Sequence, residues 1–189
     1  DGDPFTPPVG VTTYTATSDS DLDCIFEVEI TVHDLPETAA SADDSTVCIG
    51  DMVTLTGLGA DSYTWDLGVT DGVAFAPPLG VTTYTVTGTN AEGCESTATL
   101  DITVNDLPTV VATASEIELC IGEELTLTGT GADTYAWDLG VTDGVTFTPV
   151  DLGVTTYTVT GTDAEGCENT ATIDVDVLDL PTVTASADE

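Results

Sequence analysis

The stretch GVTTYTVTG occupies residues 80–88, returns unchanged at 153–161, and begins a third time as GVTTYTAT at 10–17. A word repeated at fixed spacing marks a repeated structural unit. Other residues keep the spacing: Cys48 recurs as Cys120, 72 residues on, and Cys94 as Cys167, 73 residues on. Trp65 returns as Trp137, and Asp-Leu-Pro stands at 34–36, 106–108 and 179–181. The 189 residues therefore divide into the C-terminal half of one unit (1–34), two complete units (35–106 and 107–179) and the start of another (180–189). The chain opens without Met and shows no signal peptide and no apolar run long enough to span a bilayer, so it is expected to be a window on a longer array.

Within one unit the hydrophobic period is two. MVTLTG places Val53 and Leu55 on one face and Thr54 and Thr56 on the other; SYTW pairs Tyr63 with Trp65, TYTVTG pairs Tyr84 with Val86, and ATLDITV aligns Ala98, Leu100, Ile102 and Val104. The opposite faces are almost entirely Thr, Ser and Asp, as half-buried antiparallel strands require. Turn signals separate them: GLGAD at 57–61, DGV at 71–73, PPLG at 77–80 and NAEG at 90–93. No window has helical spacing. The expected fold is all-β, a tandem series of immunoglobulin-like β-sandwich repeats of about 72 residues placed end to end, with Trp65, Tyr84, Trp137 and Tyr157 in the cores. Tyr84 stands two residues before Val86, as a tyrosine-corner residue stands before the second core Cys of antibody domains.

The chain carries 35 Asp and Glu and no Lys or Arg, a formal net charge of −35. Without cations there is no counterion-release term for nucleic acid, no basic patch for anionic lipid and no fork for phosphate. Nucleic-acid binding and membrane insertion are thereby excluded as expectations. Acidity of this degree keeps a long extracellular polymer soluble and suits a saline habitat, where screening lets like charges pack. With 41% apolar residues in strict alternation the chain is expected to fold.

Five cysteines stand at 24, 48, 94, 120 and 167. Cys48 lies just before the second strand and Cys94 at the turn into the last. Pairing within each unit, Cys48 to Cys94 and Cys120 to Cys167, would close a loop of about 47 residues and contribute about 4 kcal/mol in the chain-entropy treatment. A core of this size benefits from such a staple. Cys24, equivalent to Cys94, would be left unpaired by truncation. Metal ligation and nucleophilic chemistry are not indicated, since no CxxC and no neighbouring His accompany the cysteines. Disulfides place the chain outside the cytoplasm.

The segment from Cys48 to Val104, with C-x-G-D before VTLT, Y-x-W, TTYTVTGT and GC before the last strand, resembles the tandem Ig-like, PKD-like repeats of giant Bacteroidota cell-surface adhesins, the type 9 secreted, gliding-motility (SprB-like) family. The resemblance covers the whole chain. It implies export through the type 9 system and a place on the outer cell surface.

Several acidic positions are candidate calcium ligands. Asp66 and Asp71, with Asp138 and Asp143, flank the WDLGVTDG turn, and Asp34, Asp106 and Asp179 precede the Leu-Pro junctions. The competing reading of the first set is a solvated turn using Asp-Gly for its backbone angles, and of the second a Pro link that limits bending. Neither the EF-hand nor the glycine-rich nonapeptide spacing is present. His33 has Asn105 and Leu178 at equivalent places, a variation no catalytic residue tolerates. Tyr63, Trp65 and Phe75 could stack on a sugar, although alternation favours the core.

No catalytic residue and no cofactor other than calcium is expected. The sequence points to a non-enzymatic stalk or filament segment of a large secreted adhesin, serving attachment or gliding. Its partners would be neighbouring repeats, other copies in a fibre, and surface polysaccharide or substratum reached through parts outside the stretch. The alternatives are a spacer or carbohydrate-binding array of a secreted hydrolase, and a self-assembling extracellular fibre.

Overall fold

The computed structural model describes residues 4–17 and 25–185, and among them all regular structure is β. A hairpin comes first, β1 (Gly10–Thr17) against β2 (Ile25–Val32). The first complete repeat then supplies β3 (Ala39–Ala42), β4 (Thr46–Cys48), β5 (Leu55–Leu58), β6 (Ser62–Trp65), β7 (Gly80–Thr89) and β8 (Glu95–Asn105). The second supplies their counterparts β9 (Val111–Ala114), β10 (Glu118–Cys120), β11 (Leu127–Thr130), β12 (Thr134–Trp137), β13 (Gly153–Thr162) and β14 (Glu168–Leu178). Each repeat forms a two-stranded sheet, β3-β5 or β9-β11, and a four-stranded sheet, β4-β8-β7-β6 or β10-β14-β13-β12. These are tandem immunoglobulin-like sandwiches.

The repeated word GVTTYTVTG is the long strand β7 or β13, and its alternation decides the core. In β13, Tyr157 and Val159 point inward while Thr156 and Thr158 point to the outer face, and antiparallel pairing sets Tyr157 opposite Ile173 and Val159 opposite Ala171. The second repeat closes on one cluster of Leu119, Leu125, Leu127, Trp137, Tyr157, Val159, Val175 and Val177. In the first, Val53, Leu55, Trp65, Tyr84, Val86 and Ile102 are buried in the corresponding places. Each fully buried aliphatic side chain contributes roughly 1.5–3 kcal/mol.

The first strand of a repeat is shared between its two sheets. β9 runs antiparallel to β11, with Ala114 opposite Leu127; after residues 115–117 the chain joins the other sheet as β10, parallel to β14, with Leu119 opposite Val177 and Cys120 opposite Leu178. The parallel pairing sets Cys120 at the far end of the last strand. Cys167, which directly precedes β14, lies at its near end.

Two compact units divide the chain: Asp1–Thr46 with Gly50–Thr103, and Val47–Ile49 with Val104–Glu189. The division after Thr103 falls three residues before the repeat boundary at Asp106 read from the sequence. The exchange of Val47–Ile49 into the second unit has no counterpart in that reading.

The tyrosine corner is not at Tyr84. Tyr84 is buried and stacks edge-to-face on Phe75, with ring centroids 5.4 Å apart. The hydroxyl that turns back to upstream backbone belongs to Tyr63, which donates to Ala60 O and accepts from Ala60 N, each at 2.7 Å. Tyr135 repeats the pattern with Ala132. The ring of Tyr63 lies directly over Gly57, where a Cβ would overlap it, so the glycine in VTLTG is required by this contact.

Candidate functional site

The WDLGVTDG turn is built around its two aspartates. Asp71 Oδ1 accepts the Trp65 indole N–H at 2.9 Å and the Gly57 N–H at 2.7 Å, tying β6 and β5 to the turn. Asp143 does the same for Trp137 at 2.8 Å and Gly129 at 2.7 Å. Asp66 Oδ1 accepts from Thr85 N at 2.9 Å, and Asp138 Oδ1 from Thr158 N at 3.0 Å. Between each such pair, Leu67 and Leu139 adopt left-handed backbone angles, φ 51° and 52°. Asp71 is therefore an internal brace rather than a solvated turn residue.

This bonding separates the candidate calcium ligands. Asp66 faces β7 while Asp71 faces Trp65. At the junctions, Asp34, Asp106 and Asp179 each accept from the next residue's N–H, those of Leu35, Leu107 and Leu180. Among the described residues no group of three or more His, Cys, Asp or Glu is placed to hold a metal ion. The acidic side chains find neutral donors instead. Thr83 donates to Asp101 and Thr156 to Asp174, both at 2.6 Å. At Asp43 the Thr54 N–H, 2.9 Å away, is the main cause that holds the carboxyl below its ordinary range.

An open apolar cleft flanks the turn in both repeats. Leu67, Val69, Val73, Phe75, Pro78 and Tyr84 line about 530 Å³ in the first, and Leu139, Val141, Val145, Phe147, Val150 and Tyr157 line about 490 Å³ in the second. Burial pushes the Tyr84 hydroxyl above the usual phenol range, and the Asp66 carboxylate adds to it. Burial does the same at Tyr157, reinforced by Asp151 and Asp138. Tyr63, Trp65 and Phe75 do not form an exposed sugar platform: Trp65 is buried, Tyr63 and Phe75 half-buried.

The cysteines depart most from expectation. The bridge joins Cys48 to Cys167, with Cα atoms 5.6 Å apart and a sequence separation of 119. It replaces the expected Cys48–Cys94 and Cys120–Cys167 pairs, and Cys94 and Cys120 carry free thiols. Cys24 lies outside the described residues. The physical reason is the parallel pairing of β10 with β14. Because Cys120 is level with Leu178, the eleven residue steps from Cys167 to Leu178 separate the two cysteines of one repeat by about 36 Å at about 3.3 Å per residue, whereas a disulfide tolerates about 7 Å. The first repeat has the same design, with Ile49 N donating to Asn105 O at 2.8 Å.

What brings Cys48 to Cys167 is the linker. β8 ends at Asn105 beside Ile49; three residues on, Pro108 O accepts from the Asn169 side chain at 3.0 Å, next to the turn that carries Cys167. All of these residues belong to the second compact unit. The bond thus ties the strand-end cysteine of one sequence repeat to the turn cysteine of the next.

No protein-family model matches the chain, and no curated protein does. Solved structures that align with the chain include mouse clustered protocadherin PcdhgC3 EC1–3, at 13% identity over 93% of this chain and 78% of that one, with a TM-score of 0.28. Mouse cadherin-23 EC22–24 aligns at 15% identity over 90% of this chain and 74% of that one, with a TM-score of 0.25. PcdhgB3 EC1–4 aligns at 10% identity, TM-score 0.25, and this chain spans 66% of its length.

Proposed function

We propose that the chain is a load-bearing segment of a secreted cell-surface adhesin, a stalk whose repeats carry tension and perform no catalysis. The observation that supports this reading most is the Cys48–Cys167 bond. Tension applied outside residues 48–167 passes through the sulfur bridge, so the backbone between them bears none of it. A bond within one repeat would protect that repeat alone; a bond between successive repeats also spans the link, the weakest point of an array.

The acidic, lysine-free surface supports an extracellular setting, as does the disulfide. Attachment or gliding as the process served, and type 9 export, follow from the family resemblance of the sequence. The distal ligand would be bound by parts of the protein beyond these repeats.

Single-molecule stretching of the 189-residue chain from its ends tests the reading. In oxidised protein, unfolding releases only residues outside the bridge. Adding a reductant should lengthen the unfolded contour by about 400 Å, the reach of the bridged segment at roughly 3.4 Å per residue. Equal contour lengths in both conditions would remove the mechanical role.

A further inference from the structure

We infer that Cys94 and Cys120 are the two open ends of a continuing covalent ladder: Cys120 forms the bond that Cys48 forms, with the turn cysteine of a following repeat, and Cys94 forms the bond that Cys167 forms, with the strand-end cysteine of a preceding one. This rests on the tandem-array part of the reading above, not on its load-bearing part.

The free thiols sit in the same backbone settings as the bonded ones. Cys94 N donates to Asn90 Oδ1 at 2.8 Å, and Cys167 N to Asp163 Oδ1 at 2.8 Å; Asn90 N and Asp163 N return a bond to the Cys94 and Cys167 carbonyls, each at 3.0 Å. Ile121 N donates to Leu178 O at 2.8 Å, as Ile49 N does to Asn105 O. Exposure differs at the turn position alone: bonded Cys167 is fully buried and Cys94 half-exposed, while bonded Cys48 and free Cys120 are both half-exposed.

A second observation points to the missing partner at Cys94. The incoming linker is already docked there, with Asn90 Nδ2 donating to Asp34 O at 2.9 Å and Ser96 Oγ to Pro36 O at 2.6 Å. Yet among the described residues β2, the counterpart of β8 and β14, pairs only with β1. The edge on which β8 carries β4 and β14 carries β10 is open in β2. A strand of the β4 kind, paired parallel to β2, would deliver its terminal cysteine beside Cys94. The occupant is therefore the first-strand segment of another repeat of this type.

Each bond converts two thiols to one disulfide, releasing two protons and passing two electrons to a disulfide oxidant, which leaves as two thiols after a mixed-disulfide step. Adjacent bridges would overlap in sequence, since Cys120 lies inside the loop closed by Cys48 and Cys167.

The test compares the 189-residue chain with a version in which residues 107–179 follow once more after Asp179, the added copy carrying Cys120→Ser and Glu165→Gln so that its peptides are distinct from the originals, both refolded with oxidised glutathione and then treated with N-ethylmaleimide. The extended chain should lose alkylation at Cys120 by more than tenfold and yield a peptide linking Cys120 to the added copy of Cys167, with Cys94 still alkylated. If a second molecule supplies the partner instead, the unextended chain forms covalent multimers through Cys94 and Cys120, which supports the ladder with an intermolecular source. Full alkylation of Cys120 in the extended chain without multimers in the other, or pairing of Cys120 with Cys167 of its own repeat, overturns it. An extended Cys120→Ser chain that keeps the Cys48–Cys167 bond and β circular dichroism establishes that the extension folds. If the ladder forms but stretching shows no shielding, only the mechanical reading fails.

Discussion

Trp65 donates its indole N–H to Asp71 Oδ1 at 2.9 Å, and the same carboxylate oxygen accepts the Gly57 N–H at 2.7 Å. One oxygen thus satisfies two part-buried donors on two strands. Asp71→Ala leaves both without a partner and should destabilise the first repeat by about 2–4 kcal/mol, while Asp71→Asn, which keeps an acceptor oxygen, should cost about 1 kcal/mol. Urea denaturation followed by tryptophan fluorescence measures both. Equal, small losses would mean that the turn is held some other way.

Gly57→Ala places a methyl group where the Tyr63 ring lies. The expected cost is about 1–3 kcal/mol, with Gly129→Ala behaving alike over Tyr135. A Gly57→Ala/Tyr63→Leu double variant should lose less than the sum of its parts, because the clash and the ring disappear together; strict additivity in thermal melts would contradict the contact.

The strands of the sandwich were legible because their period of two recurs in each copy, and Val53, Leu55, Tyr84, Val86, Ile102 and Val104 all lie inside. The bridge was not, because alternation reports which face a residue takes and not which end of the sheet it reaches. Cys48 and Cys94 both stand beside turns; only the parallel partnership of the first strand with the last, invisible in short segments such as TVC and ELC, shows that the turns are at opposite ends. The corner falls to Tyr63 and not to Tyr84 for a related reason. Its hydroxyl partner is Ala60, three residues upstream, whereas Tyr84, two residues before Val86, has the more familiar spacing. At Asp71 the Asp-Gly pair disguised an indole acceptor as an ordinary turn.

Tyr84 and Tyr157 make alkaline stability a readout of the aromatic pairs. Both hydroxyls hold their protons more tightly when folded than in the unfolded chain, where phenols ionise near the ordinary value of 10.0. Stability should therefore be full below that pH and fall as pH rises through the raised folded values. Denaturation series from about pH 8 to about pH 11 should show the loss, and replacing both residues with Phe should flatten it. A profile unchanged by the Phe substitutions would assign the loss to other groups.

Salt should stabilise the protein and calcium should add nothing specific. With a net charge of −35 and no cationic side chain, screening relieves repulsion at every exposed carboxylate. Because Asp66 and Asp71 are committed to Thr85 and Trp65, calcium at millimolar concentration should shift the melting temperature no more than a magnesium salt of equal ionic strength. A saturable, calcium-only rise of several degrees would reveal a site that these bonds do not foresee.

Peptide mapping of the oxidised chain without reduction tests the central claim most directly. The lack of Lys and Arg excludes trypsin, so the digestion uses a protease that cuts at acidic residues. The account predicts one linked pair carrying Cys48 and Cys167, with Cys94 and Cys120 each recovered as alkylated thiols. Linked peptides carrying Cys48 with Cys94 and Cys120 with Cys167 would contradict it.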